Sequence, residues 1–383
     1  MSRLLLLGLL AVVAAAAGAA GGAESASRPV VLAVVNGHLG HVDAVTLKPV
    51  GASVPVGRFG FPSARSPSGS QVALAASQPA AVRIVDLRTM KRVNTFGLNA
   101  SEVDALSWVT PRAILGESSV AVYRIDPVRR RVVWSGLLPD GALGLRATPD
   151  GFVLLSSPGY DEIGPTTLTT IDAAGRRRSV LLDQIRSGIH ETDPNASAVD
   201  EQVPGLAVDR ATDRAYVVGA GEPVAEVDLK TLAVVYHGGS RTLAKSSTGS
   251  WRDAEWAGNG LIAVAGQDNP TADAQLPSGL DLIDTATWTW RQVDPQADDL
   301  STGPGTLLAF ETVSGQTLGL AAYDLAGNLR FRLAGTVGGA SVASSTAYVW
   351  LLAGRTWRLD VLDLATGRVL NSVKSPSFTL LSR

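Results

Sequence analysis

The sequence predicts an all-β fold built from repeated four-stranded units, and three observations carry that prediction. A hydrophobic-Asp-x-x-(Thr or Gly) hairpin signature returns about eight times, its Asp positions recur at a roughly constant interval, and an apolar run precedes most copies. The copies are Val42-Asp43 with Thr46, Val85-Asp86 with Thr89, Ile125-Asp126 with Arg129, Ile171-Asp172 with Gly175, Val227-Asp228 with Thr231, Ile283-Asp284 with Thr287, Tyr323-Asp324 with Gly327, and Leu362-Asp363 with Thr366. Successive Asp residues stand 43, 40, 46, 56, 56, 40 and 39 positions apart. That interval lies around the ~40–50 residues of a four-stranded propeller blade. One such sheet is marginal alone, whereas sheets stacked around an axis bury both faces and protect most edges. The expected architecture is therefore a β-propeller of four-stranded blades, eight by hairpin count, with seven as the alternative.

Each unit reads as strand A, turn, strand B, loop, strand C, Asp turn and strand D. Strand B is the apolar run ahead of the hairpin, at 30–35, 72–76, 152–156, 214–218, 261–265 and 347–352. Ser66-Pro67-Ser68-Gly69, Pro149-Asp150-Gly151 and Asp213 are turn signals that join several of these runs to a strand A. The Asp of each C–D turn is read as a turn residue that accepts hydrogen bonds from nearby backbone N–H groups. Eight such residues at the outer ends are too far apart to converge on a cation. The first unit lacks an obvious strand A, and Ser377-Phe378-Thr379-Leu380-Leu381 is strand-like. The tail is expected to supply that missing strand, so that the two ends of the chain share a blade. The seventh unit, 306–332, has the weakest pattern.

The run Ala33-Val34-Val35-Asn36-Gly37, the turn Thr148-Pro149-Asp150-Gly151 and the Val-Asp-x-x-Thr hairpins resemble the YVTN-type repeats of secreted bacterial propellers such as the YncE-like group. The resemblance extends over nearly all of the chain after its leader, although the YVTN tetrapeptide itself is degenerate here. It implies a propeller of the quinoprotein-like superfamily, whose members include enzymes, binding modules and cell-surface proteins, and in which seven blades are commoner than eight.

Residues 1–26 begin Met-Ser-Arg, continue through LLLLGLLAVVAAAAGAA and end in small residues, the pattern of a secretory signal peptide. Ala17-Gly18-Ala19 and Gly21-Gly22-Ala23 are two small-x-small cleavage sites. Residues 27–383 then form a single propeller domain, expected to be secreted or periplasmic, monomeric and without a membrane span after cleavage. Of the 383 residues, 45% are hydrophobic and 18% charged, and the formal net charge of -2 gives no sign of nucleic-acid binding. There is no cysteine, which excludes disulfides, thiolate zinc sites and cysteine nucleophiles.

Because strands A to D alternate in direction, A–B and C–D turns share one face of the ring, and B–C and D–A loops share the other. The long segments 159–165, 185–204, 238–253 and 267–278 all fall on the second face and read as irregular loops, where binding residues commonly reside. They supply the candidate site residues Tyr160, Asp161, Glu162, His190, Glu191, Asp193, Arg241, Lys245, Trp251, Arg252, Asp253 and Asp268, with Gln267 and Asn269 beside them. His190-Glu191-x-Asp193 could ligate a divalent metal or move protons, yet a single His with local acids matches no established metal spacing. Trp251-Arg252-Asp253-Ala254-Glu255-Trp256 could begin an inner strand that points Arg252 or Asp253 into the channel, or an ion pair with tryptophans between blades. No Gly-x-Ser-x-Gly, His-Glu-x-x-His or paired-cysteine motif occurs. The expected function is a module that binds a small molecule, glycan or protein on the B–C/D–A face, with no cofactor. The alternative is an enzyme at the channel mouth, a metal-assisted hydrolase or lactonase or a quinone-dependent dehydrogenase.

Overall fold

Antiparallel pairing between consecutive segments builds the molecule, as β-branched runs separated by Asp, Gly and Pro turns require. The computed structural model describes residues 29–57, 62–76, 79–100, 102–118, 120–139, 141–159, 161–193, 198–238, 249–271, 274–313, 316–374 and 376–381, so the leader read as a signal peptide lies outside them. Among the described residues all regular elements are strands, and no helix is long and apolar enough to cross a membrane.

Six hydrogen-bonded sheets are four-stranded antiparallel meanders, whose first strands are Phe378–Leu380, Ser63–Arg65, Ala105–Thr110, Gly205–Asp209, Asp299–Gly303 and Val337–Ala343. First strands lie against one another, Ser63–Arg65 against Ala105–Thr110 and Asp299–Gly303 against Val337–Ala343, which gathers them around the axis and leaves the fourth strands outside. The arrangement is an all-β propeller. The first meander is completed by the far end of the chain, since Phe378–Leu380 pairs antiparallel with Ala33 to Val35.

The remaining sheet has ten strands. It contains two further meanders, one running from Ala142–Thr148 to Arg177–Asp193 and the other from Gly249–Gly258 to Thr289–Asp294. Between them Ala198–Val203 pairs antiparallel with Arg177–Asp193 and parallel with Gly249–Gly258. Separate four-stranded sheets therefore number six among the described residues, not the eight or seven expected. The cause is that three of the four segments read as irregular loops are largely strand. Glu162–Asp172, Arg177–Asp193, Ala198–Val203, Leu261–Thr271 and Ala274–Pro277 run through them, and Gly249–Gly258 enters the fourth. Polar side chains on these extensions conceal the strand period, while the backbone still needs partners and finds them across the hairpin.

The eight Asp residues close their own turns. Asp363 Oδ1 accepts from Thr366 N at 2.9 Å and from Thr366 Oγ1 at 2.7 Å. Asp86 and Asp228 repeat this with Thr89 and Thr231. In Asp172 and Asp324 the acceptor instead takes the N–H four residues on, from Arg176 and Asn328.

The core is divided among the spaces between neighbouring meanders. Along Leu261–Thr271, Ile262 and Val264 pack on Ala207, Tyr216 and Val218 of one neighbour. Ala263 and Ala265, pointing the other way, pack on Leu307 and Ala309 of the next. Burial on both faces explains why the B runs are continuously apolar, without alternation.

Gly151, in the one Pro-Asp-Gly turn, has φ +152°, and a Cβ there would lie 1.8 Å from the carbonyl oxygen of Ile171. Gly151→Ala is expected to cost ~2 kcal/mol or more of folding free energy in denaturant titration, through backbone strain and displacement of the paired strand. A loss below ~0.5 kcal/mol would show that the two strands separate freely.

Candidate functional site

Five of the sequence candidates fall into three pairs of different character, the third completed by Glu255, which was not among the candidates. His190 Nδ1 lies 3.1 Å from Asp161 Oδ1, and both side chains are about half exposed, at 52% and 45%. The two are joined because the Glu162–Asp172 and Arg177–Asp193 strands pair Glu162 with Ile189, one step away. Glu162 is exposed, and no group of three His, Asp or Glu side chains able to hold a metal occurs among the described residues. Glu191 and Asp193 lie on the same strand, with side chains outside the described set, as are residues Tyr160, Arg241 and Lys245.

The second pair is Arg252 with Asp268. The guanidinium Nη2 donates to Asp268 Oδ1 at 2.7 Å, and Nη1 donates to the carbonyls of Trp251 and Gln267, each at 2.9 Å. Arg252 is only 4% exposed. A buried guanidinium with three hydrogen bonds, cross-linking Gly249–Gly258 to Leu261–Thr271, is a fixture of the hairpin. Of the flanking tryptophans, Trp251 is 36% exposed. Trp256 stacks on Tyr216 of the neighbouring meander, with centroids 5.5 Å apart.

The third pair opens onto the channel. Asp253 and Glu255 are two residues apart on an inner strand and so share a face, opposite to buried Arg252 and Ala254. Arg146, on the inner strand Ala142–Thr148, donates Nη2 to Asp253 Oδ1 at 2.8 Å. Glu255 Oε2 accepts from Thr302 N at 2.8 Å and Thr302 Oγ1 at 2.6 Å, on the inner strand Asp299–Gly303. A cavity of about 490 Å³ is lined by Arg146, Glu255, Trp256, Thr302 and the turn of Asp209 to Ala211. Burial pushes the carboxyls of Asp253 and Glu255 upward, opposed at Asp253 by the Arg146 charge and at Glu255 by the Thr302 hydrogen bonds. Burial also raises Asp299. Three inner strands thus bring one guanidinium, a hydroxyl and reluctantly ionised carboxyls to a shared space, able to accept hydrogen bonds from a polar ligand.

Of this cluster the sequence pointed to Asp253. The alternation Asp253-Ala254-Glu255 within a strand is the signal that could have added Glu255. Arg146 and Thr302 carry no local signal, because only ring closure brings them near. The cavity opens where A–B turns lie, such as that of Asp209 to Ala211, on the face opposite to the long segments.

Two further carboxyls are raised to about 7 from an ordinary 4.5 by burial: Glu117, with the charge of Asp104 adding to the effect, and Glu222, whose oxygens accept from Arg186 N at 3.1 and 3.2 Å. Through Glu222 the meander Gly205–Asp209 to Val234–His237 holds the extended Arg177–Asp193 strand.

Replacing Arg252 by Ala should cost ~3–5 kcal/mol, because Asp268 would keep a buried, unpaired charge. Denaturant titration checks this, and a loss below ~1 kcal/mol would remove Arg252 from the structural set. The pH dependence has two arms. Glu117 and Glu222 hold their protons to about 7 when folded and release them near 4.5 when unfolded, so they make stability fall as pH rises from about 4.5 to 7. The turn carboxylates Asp86, Asp228 and Asp363, lowered by their hydrogen bonds to Thr, contribute above the unfolded value of 3.8 and lose that contribution as pH falls through their lower folded values. The unfolding temperature is therefore expected to be higher at pH 5 than at pH 8, and Glu222→Gln should reduce the difference. A wild-type protein more stable at pH 8 would contradict the assignment.

No family model and no curated protein matches the chain. Solved structures do. Dihydro-heme d1 dehydrogenase NirN in complex with DHE aligns over 91% of this chain and 73% of its own, with 12% identity and a TM-score of 0.60. Sqt1 of Saccharomyces cerevisiae aligns over 82% and 85%, with 10% identity and a TM-score of 0.51. The Dos1 propeller aligns over 83% of each chain, with 12% identity and a TM-score of 0.51. At these identities the likeness is one of fold, and the fold this chain shares with them is the β-propeller.

Proposed function

We propose that this chain is an exported propeller that acts as a binding module, with a small polar ligand held in a channel cavity that opens on the A–B/C–D face, opposite to the B–C/D–A face expected from the long segments. The observation that carries this reading is the convergence of Arg146, Glu255 and Thr302 from three inner strands on one cavity of about 490 Å³, with Asp253 behind them holding Arg146. The size lies within the ~300–1,000 Å³ of small-molecule sites. Hydroxyl- or amine-bearing molecules, glycan fragments among them, have the donors that buried carboxyls accept. A rigid ring supports binding without the cost of ordering loops.

A second reading, an enzyme, rests on one observation: the carboxyls of Asp253 and Glu255 are shifted upward beside a guanidinium, as in many acid–base sites. The two readings part on Glu255→Gln, which would abolish turnover of a substrate but only weaken capture of a ligand.

Two finer features belong to the same proposal. We read the ten-stranded sheet as two blades joined by Ala198–Val203, giving a ring of eight. Its support is that both of its meanders keep the Asp turn, at Asp172 and Asp284, and that apolar clusters fill every space between consecutive meanders, including that between the last and the first. An experimental structure with one blade between Asp126 and Asp228 in the ring order supports it, and any other number ends it. The leader and the degenerate repeats also suggest kinship with secreted YVTN-type propellers, and N-terminal sequencing of exported protein should begin after Ala19 or Ala23.

The binding reading is tested by thermal shift against a panel of monosaccharides, polyols and short alkyl amines. A hit should raise the wild-type unfolding temperature by several degrees and lose most of that effect in Asp253→Asn and Glu255→Gln. Hits that stabilise both variants as much as the wild type would move the site elsewhere.

A further inference from the structure

A second cavity of about 550 Å³ lies beside the seam where the ring closes, and it differs in chemistry from the cluster above. Its walls are largely aliphatic: Val30, Val31 and Leu32 on one side, Val342 and Ala343 on another, and Leu380 and Leu381 at the end of the closing strand. Among the described residues, Phe378–Leu380 pairs with Ala33 to Val35, Leu381 N donates to Leu32 O at 3.0 Å, and Val30 is 44% exposed. The turn at Gly303 and Pro304 forms the rim of the cavity. Gly303 has room only for hydrogen, since a Cβ would meet Val342 Cβ at 2.7 Å.

Two basic side chains, Arg65 and the exposed His41, line this space. Arg65, at the end of the inner strand Ser63–Arg65, borders the cavity, and its Nε is buried without a hydrogen-bond partner. No ion pair to Arg65 forms among the described residues, although most of the arginines held inside this ring have a carboxylate or carbonyl partner. Examples are Arg146 with Asp253, Arg252 with Asp268, and Arg332 with Asp294. Arg65 is half-buried, its Nε lacks an acceptor, and an anion that brings two oxygens to the outer nitrogens of the fork would supply the guanidinium with partners. Aliphatic walls beside it call for an apolar tail.

We propose that the seam cavity binds an aliphatic carboxylate, its carboxylate held by the Arg65 fork and its hydrocarbon chain lying against Val30, Val31, Val342 and Leu381. This site adjoins the Asp253–Glu255 cluster through Thr302, which lines both cavities, but its proposed ligand contacts do not include Asp253 or Glu255. Calorimetric titration of the full chain with decanoate, and with decanol as the uncharged match, tests the assignment. Decanoate is expected to bind one-to-one and at least tenfold more tightly than decanol. Arg65→Gln should weaken decanoate at least tenfold while leaving decanol unchanged, and Arg65→Lys should retain part of the preference. Ala343→Phe, which fills the cavity without touching the charge, should weaken both ligands together. Absence of decanoate binding, equal affinity for the two ligands, or undiminished decanoate binding to an Arg65→Gln protein with wild-type unfolding temperature would each overturn it. Asp253→Asn should leave decanoate affinity unchanged, which separates failure here from failure of the channel reading.

Discussion

Closure of the ring is the constraint on which the rest of this structure depends. A row of stacked sheets leaves two unprotected faces at its ends, and only a joint between the first and last meanders removes both. Here the joint is small but well secured. Three residues of Phe378–Leu380 pair with Ala33 to Val35, Asn36 N donates to Ser377 O at 2.7 Å, and Leu381 N donates to Leu32 O at 3.0 Å. Tyr348 of the last meander stacks on Phe378 at 4.9 Å and donates its hydroxyl to Ala44 O at 2.9 Å. Apart from the Tyr348–Phe378 stack, these contacts join segments over three hundred residues apart, so the entropy of closing that span is offset once, at the seam. Every interface between meanders then gains a neighbour on each side.

Closure also creates the chemistry. Inner strands present alternate side chains to a common axis, and side chains remote in sequence become neighbours there without any local motif. Asp253 and Glu255 come from one strand, Arg146 and Thr302 from two others. The same seam brings Val30, Val31, Leu380 and Leu381 together along an aliphatic cavity. Polar convergence at one place and an open aliphatic wall at another are thus two results of one closure.

The legible part of the site was what lies within a few residues. The Asp turns were readable because each carboxylate bonds to N–H groups two to four positions on, and the geometry is local. Asp253 was readable because a strand-like hexapeptide with charges inside it has to place them somewhere. The long segments were misread as irregular since their strands have no apolar face to alternate with: Glu162, His190 and Trp251 are all exposed, yet the backbone is fully engaged across the hairpin. Hydrophobic period reports burial, and strands that stand clear of the core leave no such trace.

By itself the sequence determined the repeat, the positions of the turns and the all-β class, because these follow from residue preferences and hydrogen bonds over short separations. Tertiary structure alone decided which strands fuse into one sheet, that Arg252 is a buried clamp while Asp253 faces the channel, and that Arg65 borders an aliphatic cavity. Those outcomes depend on the register of strands and on the angle between sheets, and both are set by packing across the whole ring.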